Sequence, residues 1–170
     1  MIPLIEQQLK QAEFNFISEQ DKQFIIAFTD EMEKRGYTYD NTIGKGHCWG
    51  RYMLIFRKAN LKTQKVVARI YIKDQGIVLR LFFNNVTKHG DFIRQAPDAI
   101  KTVFIGEQAN CAHCSGENCR FQKKYVIDGV EFVKCNGSTF QFKNPTLEQL
   151  PDYIRLFEEF YPQKNNGKEG

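Results

Sequence analysis

The first strong pattern along the chain is a four-residue spacing of large apolar side chains between residues 19 and 35. This spacing places the side chains on one face of an α-helix, where they form a stripe that packs into a core. The stripe consists of Phe24, Phe28 and Met32. Ser18, followed three residues later by Asp21, is typical of a helix start, and Gly36 suits the left-handed residue that ends many helices. The sequence therefore predicts a helix over residues 19–35.

A different pattern follows, in which three runs of β-branched and aromatic residues are separated by polar turns. The runs are RYMLIFRK (51–58), VVARIYIK (66–73) and GIVLRLFF (76–83). They predict an antiparallel meander. If Ile72 faces Ile77 across the intervening turn, one face of this hairpin is uniformly apolar and has to pack against helices. The other pairs in this register are Ile70 with Leu79, Ala68 with Leu81 and Val66 with Phe83.

The remaining segments add shorter elements. A weaker helical pattern covers residues 3–12, and residues 87–105 return to helical spacing in two pieces. Asp128-Gly129 lies between two β-prone runs and predicts a two-residue hairpin turn, because both turn residues have to tolerate positive φ. Residues 138–142 (STFQF) can add a third strand. The closing helix has an apolar face made of Leu147, Leu150, Ile154, Phe157 and Tyr161.

These elements predict the fold class and the domain organisation. A chain of 170 residues suits one domain, and 42% hydrophobic with 14% aromatic residues is typical of a packed protein rather than a disordered one. We expect a single α+β domain over residues 1–161, with an antiparallel meander backed by helices and a cysteine-bearing hairpin at about residues 108–142. The polar segment 162–170 is expected to be a flexible tail.

Net charge and the lack of targeting signals indicate which partners and which cellular compartment to expect. A net charge of +4 is too mild to indicate a nucleic-acid partner by itself. No run approaches the roughly 20 apolar residues that span a bilayer, and the start MIPLIEQQLKQAEF lacks the features of a signal peptide. We therefore expect a cytoplasmic protein with no membrane partner. Thiols stay reduced in that compartment, so clustered cysteines indicate metal ligands before disulfides.

Four of the five cysteines form a candidate metal site. Three of them, spaced C-x2-C-x4-C, are Cys111, Cys114 and Cys119. A two-residue turn at Asp128-Gly129 would pair Cys135 with Gln122, three residues beyond the third cysteine, so four thiolates can converge. Four cysteines bind Zn²⁺ in a closed tetrahedron, which is a structural and not a catalytic site. The basic residues expected to offset its negative charge are Arg120, Lys123, Lys124 and Lys134.

The cysteines leave alternatives open. Cys111 and Cys114 can instead be a redox pair, although such a pair normally opens a helix and here precedes a turn-like segment. Unrelated free thiols or a disulfide framework are further alternatives. His113 can replace one ligand of the zinc. Cys48, which stands apart from the cluster, is interpreted as a small core residue.

A second candidate site lies on the polar face of the meander. The register above places Arg69 directly opposite Arg80, and like charges paired across strands are unfavourable unless something negative lies over them. The sequence therefore predicts a groove for an anion, floored by Arg69, Arg80 and Tyr71. Arg57 and Trp49 can join from the neighbouring strand region, and the glycines of GKGHCWG (44–50) suggest a flexible rim. The alternative is a solvated face whose arginines turn toward carboxylates such as Glu31 and Asp74.

The order of these parts resembles the small bacterial α+β domains of YdhG-like type. A helix, a Gly/Trp segment leading into a three-stranded meander, further helices and a closing TLEQLPDYI helix carry the resemblance over about residues 19–160. It implies a sheet backed by helices, to which the cysteine-bearing hairpin would be an insertion. Part of that superfamily is described as a frataxin-like iron chaperone, but this sequence has no acidic iron-binding cluster that would carry the function over.

Three functions are compatible with these observations. The first is a non-catalytic binding module with a structural zinc, which takes an anionic small molecule or a protein partner. The second is a nucleic-acid-associated zinc protein, based on the basic residues of the hairpin. The third is a thiol redox enzyme that uses Cys111 and Cys114.

Overall fold

The computed structural model describes residues 2–59, 65–106, 122–135 and 139–162, which form an α+β fold with an antiparallel sheet, as predicted. The helices of these residues are α1 (Leu4–Leu9), α2 (Glu19–Lys34), α3 (Gly90–Gln95), α4 (Asp98–Ile105) and α5 (Leu150–Phe160). The strands are β1 (Tyr37–Thr38), β2 (Gly44–Lys45), β3 (Tyr52–Lys58), β4 (Val66–Lys73), β5 (Gly76–Leu81), β6 (Gln122–Ile127), β7 (Val130–Cys135) and β8 (Gln141–Lys143). Single 3-10 turns occur at Ala12–Phe14, His47–Trp49 and Val86–His89.

The main sheet has the strand order β1-β3-β4-β5-β8, and β2 also pairs with β3. The meander register is confirmed, because Ile72 pairs with Ile77 and Ala68 pairs with Leu81. Strand β5 ends at Leu81, so the predicted pairing does not extend to Phe83. The STFQF segment does supply a strand, β8, which joins β5 of the main sheet and not the hairpin.

The apolar face of the sheet and the helices form one core. The side chains in the middle of this face are 0–1% exposed, and α2 packs on them through an edge-to-face contact of Phe28 with Phe56. Helix α5 joins the same layer, where Tyr153 meets Phe24 edge-to-face. Leu147 was expected on the buried face of the closing helix, but it precedes α5 and is 44% exposed. None of the helices in the described part of the chain is long and apolar enough to cross a membrane.

Helix α2 begins and ends as the sequence predicts. The Ser18 hydroxyl accepts a hydrogen bond from the backbone N–H of Asp21 at 3.1 Å, and Gly36 adopts φ +85° after the last turn. Because α2 supplies the largest helical share of the core, its N-cap contributes to the stability of the whole fold.

Replacing Ser18 with alanine is expected to lower the free energy of unfolding by about 1 kcal/mol, because an N–H of the first turn loses its acceptor. Urea denaturation would show a lower midpoint at an unchanged slope. Ser18→Asn, which keeps a capping oxygen, should stay close to the unsubstituted protein. An equal loss in both variants would show that the cap is not the cause.

The β6–β7 hairpin forms around Asp128-Gly129, as predicted, and pairs Gln122 with Cys135. Its inner side chains dock onto the main domain. Tyr125 and Ile127 are 3% and 4% exposed and belong to the same hydrophobic cluster as the sheet. The Tyr125 hydroxyl donates a hydrogen bond to the backbone carbonyl of Phe104. The hairpin is therefore attached to the core through its own apolar face, independently of its cysteines.

Candidate functional site

The two arginines of the meander lie opposite each other, as the sequence predicts. Arg80 is only 5% exposed, and its Nη1 donates a hydrogen bond to the Tyr71 hydroxyl at 3.1 Å. Its guanidinium carbon lies 4.4 Å from the centre of the Phe82 ring and 5.8 Å from that of Trp49. Arg80 is thus held in a fixed position by aromatic groups and is not splayed into solvent.

Trp49 covers part of this outer face. Its ring is stacked on Tyr71 with centroids 5.3 Å apart and planes 12° from parallel. The segment that carries Trp49, which was predicted to be a flexible rim, contains a 3-10 turn closed by a hydrogen bond from the Trp49 N–H to the Gly46 carbonyl. A Cβ on Gly46 would collide with the backbone of Gly50, so the turn requires glycine there.

The same turn corrects the interpretation of Cys48. That residue was expected in the core, but it is exposed. The short turn directs Trp49 toward the sheet, and its neighbour Cys48 faces solvent. No part of the core is built on this thiol.

Arg69 has a different environment from Arg80. Its guanidinium carbon lies 5.3 Å from the centre of the Phe82 ring, and its Nε is buried with no hydrogen-bond acceptor among the described residues. The carboxylates considered as partners are engaged elsewhere, since Glu31 pairs with Arg35 at 2.8 Å and Asp74 pairs with Arg51 at 3.4 Å. The positive charge of Arg69 is therefore not neutralised by an ion pair within the described ranges.

Arg57 lies on the same side of β3 but is a weaker candidate. Its Nε is 3.1 Å from a carboxylate oxygen of Asp40, which offsets its charge. A β-bulge between Phe56 and Arg57 shifts the register at this point. The outer face thus brings together four of the five predicted binding residues, and Arg57 contributes at its edge.

Lys123 joins the outer face from the hairpin, which the sequence did not reveal. Its ammonium donates hydrogen bonds to the Phe83 carbonyl at 2.7 Å and to Oδ1 of Asn84 at 3.0 Å. Burial lowers the pKa of Lys123 below its ordinary value, and the nearby positive charge of Arg80 lowers it further. The expectation that Lys123 helps to offset the charge of a zinc site stays a prediction. The sequence signal for the position of Lys123 in the structure is its alternation with Tyr125 along β6.

The outer face is also partly apolar. Met53 and Ile55 of β3 point to this side and are half-buried, and Ile55 is the direct neighbour of Arg69. Phe82 is half-buried as well. Together, the features define what we call the outer site. Its members are Trp49, Met53, Ile55, Arg69, Tyr71, Arg80, Phe82 and Lys123.

The predicted zinc ligands fall largely beyond the structural description. Cys111, Cys114 and Cys119 lie outside the described residues. Cys135 ends β7 opposite Gln122, which is the position that the hairpin register predicted. The described residues contain no group of three or more side chains that could hold a metal ion. The zinc site stays a prediction.

A separate cleft of about 590 Å³ lies at the start of α2 and the turn between β4 and β5. Its lining is rich in amides and hydroxyls and includes the carboxylates of Asp21 and Glu148, but no lysine or arginine. The charged side chains of this cleft are thus opposite in sign to those of the outer site. Sequence patterns gave no signal for it, because its walls come from three distant segments.

Comparison with protein-family models, curated proteins and solved structures gives no match for this chain. The resemblance to YdhG-like domains therefore stays a prediction.

Proposed function

We propose that this protein is a non-catalytic binding module whose outer site takes an anionic small molecule or an anionic group of a protein partner. The observation that carries the proposal is the environment of Arg69. Its Nε is buried without an acceptor among the described residues, and Arg80 lies directly across the strand pair. A buried donor without an acceptor costs roughly 1–3 kcal/mol, and an anion would supply that acceptor.

Electrostatics support the same reading. Arg69, Arg80 and Lys123 bring three positive groups to one region, and like charges at neighbouring positions destabilise a sheet. Burial lowers the pKa of Lys123, and the positive charge of Arg80 acts in the same direction. A bound anion would be attracted to all three positive groups. This attraction would offset part of the repulsion between them.

We further propose that a structural Zn²⁺ holds the base of the hairpin, bound by Cys111, Cys114, Cys119 and Cys135. The support is the observed pairing of Cys135 with Gln122, which returns the last cysteine toward the segment carrying the others. A closed site of four thiolates would add folding energy without adding chemistry.

Replacing Arg69 with glutamine is expected to weaken anion binding by about 2 kcal/mol, or roughly 30-fold in Kd, through loss of a charge-assisted hydrogen bond. Isothermal calorimetry with citrate and with 2-naphthoate would measure it. Arg51→Gln is the control, because Arg51 lies just before β3, outside the outer site, where it pairs with Asp74 and stacks on Phe16. The proposal fails if neither anion binds in a manner that depends on Arg69.

The nucleic-acid alternative has less support from the hairpin. Lys123 donates to the Phe83 carbonyl, and Lys134, which is 6% exposed, donates to the Gly106 carbonyl. Within residues 122–135 this leaves Lys124 as the exposed basic side chain. Phosphate binding needs several accessible cations, and one does not form a patch. The redox alternative depends on Cys111 and Cys114, outside the described residues.

A further inference from the structure

The outer site combines positive charge with apolar surface, and this combination limits the classes of ligand that fit it. Arg69 lies between Ile55 on one neighbouring strand and Arg80 on the other. Sites for hydrophilic polyanions surround the ligand with donors, whereas here an aliphatic side chain adjoins the guanidinium. Any ligand that reaches Arg69 also covers half-buried apolar groups of the floor.

The aromatic side chains add a preference for shape. The guanidinium of Arg69 is 5.3 Å from the Phe82 ring centre, and that of Arg80 is 4.4 Å from the same ring. Trp49 lies parallel to Tyr71 at the other end of the site and is half-buried. Flat aromatic surfaces of this kind stack better on a planar ring of a ligand than on a non-planar aliphatic group.

The number of free hydrogen-bond donors limits how many anionic groups of a ligand the site can hold. The Arg80 guanidinium already donates to the Tyr71 hydroxyl, and the Lys123 ammonium already donates to two oxygens. The Nε of Arg69, in contrast, is buried without a hydrogen-bond acceptor among the described residues. One guanidinium fork matches one carboxylate.

From these observations we infer that the outer site binds a small aromatic monoanion of the arylcarboxylate class, with its carboxylate on Arg69 and its ring over Ile55 and Phe82. The inference rests on the proposed anion-binding function and names its ligand class. Burial of the ring supplies affinity that a hydrophilic anion lacks, even one with more charges.

The test compares two anions by isothermal calorimetry on the full chain. 2-Naphthoate carries one charge on a planar apolar body, and citrate carries three charges without one. We expect 2-naphthoate to bind at least about tenfold more tightly than citrate. Citrate binding as tightly or more tightly would overturn the inference while leaving an anion site in place. Failure of both anions to bind would overturn the proposed function itself.

Two further binding measurements separate the contribution of the ligand's ring from that of its charge. Ile55→Thr, which keeps a β-branched strand residue, is expected to weaken 2-naphthoate several-fold and to leave citrate unchanged. 2-Naphthalenemethanol, which has the ring without the charge, should bind at least tenfold more weakly than 2-naphthoate. Equal weakening of both anions by Ile55→Thr, or equal binding of the uncharged ring, would contradict the inference. Circular dichroism and thermal melting of the variant confirm that its fold is intact.

Discussion

Replacing Cys135 with serine is expected to remove the bound zinc and to loosen the base of the β6–β7 hairpin. The proposed site of four thiolates would hold about one Zn²⁺ per chain, and a serine hydroxyl is a poor substitute ligand at neutral pH. The free energy of binding at structural zinc sites, about 10–16 kcal/mol in small zinc-binding peptides, is coupled to folding, so the effect should be large. Elemental analysis of purified protein measures the metal content, and urea denaturation measures the stability.

Two substitutions serve as controls for this experiment. Cys48→Ser removes an exposed thiol from the 3-10 turn at His47–Trp49 and should leave the zinc content at about one per chain. His113→Ala should also retain the metal if four cysteines complete the site. Native protein that contains no stoichiometric zinc would end the proposal. Because Tyr125 and Ile127 anchor the hairpin in the core, the main domain should stay folded even in the metal-free variant.

Replacing Phe83 with alanine is expected to lower the free energy of unfolding by about 3–5 kcal/mol. Phe83 is 1% exposed and lies between the sheet, α4 and α5. Its ring centre is 4.0 Å from that of Phe160, 5.7 Å from that of Phe140 and 6.2 Å from that of Phe104. Removing the ring leaves a cavity among aromatic groups that cannot collapse without losing their own contacts. Chemical denaturation followed by circular dichroism measures the change.

A leucine at position 83 refills part of the volume and should cost less than the alanine. Val130→Ala provides the surface comparison, since Val130 is 53% exposed and a change there should stay within about 0.5 kcal/mol. If Phe83→Ala cost no more than Val130→Ala, the aromatic cluster would not be the tightly packed centre described above.

Local patterns were sufficient to predict the elements of this fold. The four-residue spacing of Phe24 and Phe28 and the cap at Ser18 gave the range of α2 to within one residue. Asp128-Gly129 determined the hairpin register, because a two-residue turn permits only one pairing. These signals succeed because each is produced by interactions within a few residues.

Longer-range contacts could not be read in the same way. Strand β8 pairs with β5, and nothing in three strand residues specifies that partner over the nearer hairpin. The two-residue strands β1 and β2 carry too little pattern to detect. Docking of the hairpin through Tyr125 depends on a backbone carbonyl at Phe104, which has no sequence signature.

The candidate site was also predictable in its local features and not in its longer-range contacts. Apolar matching along the meander predicts that Arg69 lies opposite Arg80, which the structure confirms. The burial of Arg80 and its bond to Tyr71 were not foreseen, because they depend on how Trp49 folds over the strands. Lys123 was missed since it arrives from a segment 40 residues away from its acceptor at Phe83.

The way in which the main sheet ends has a consequence for how the molecule behaves in concentrated solution. One border is formed by β8, of three residues, and the other by β1 and β2, of two residues each, which cover the two ends of β3. Long open borders recruit strands from other chains and seed insoluble assemblies. In the main sheet, the most β-prone strands lie between these short strands. Few backbone N–H and C=O groups at its borders are therefore free to pair with a strand of another molecule.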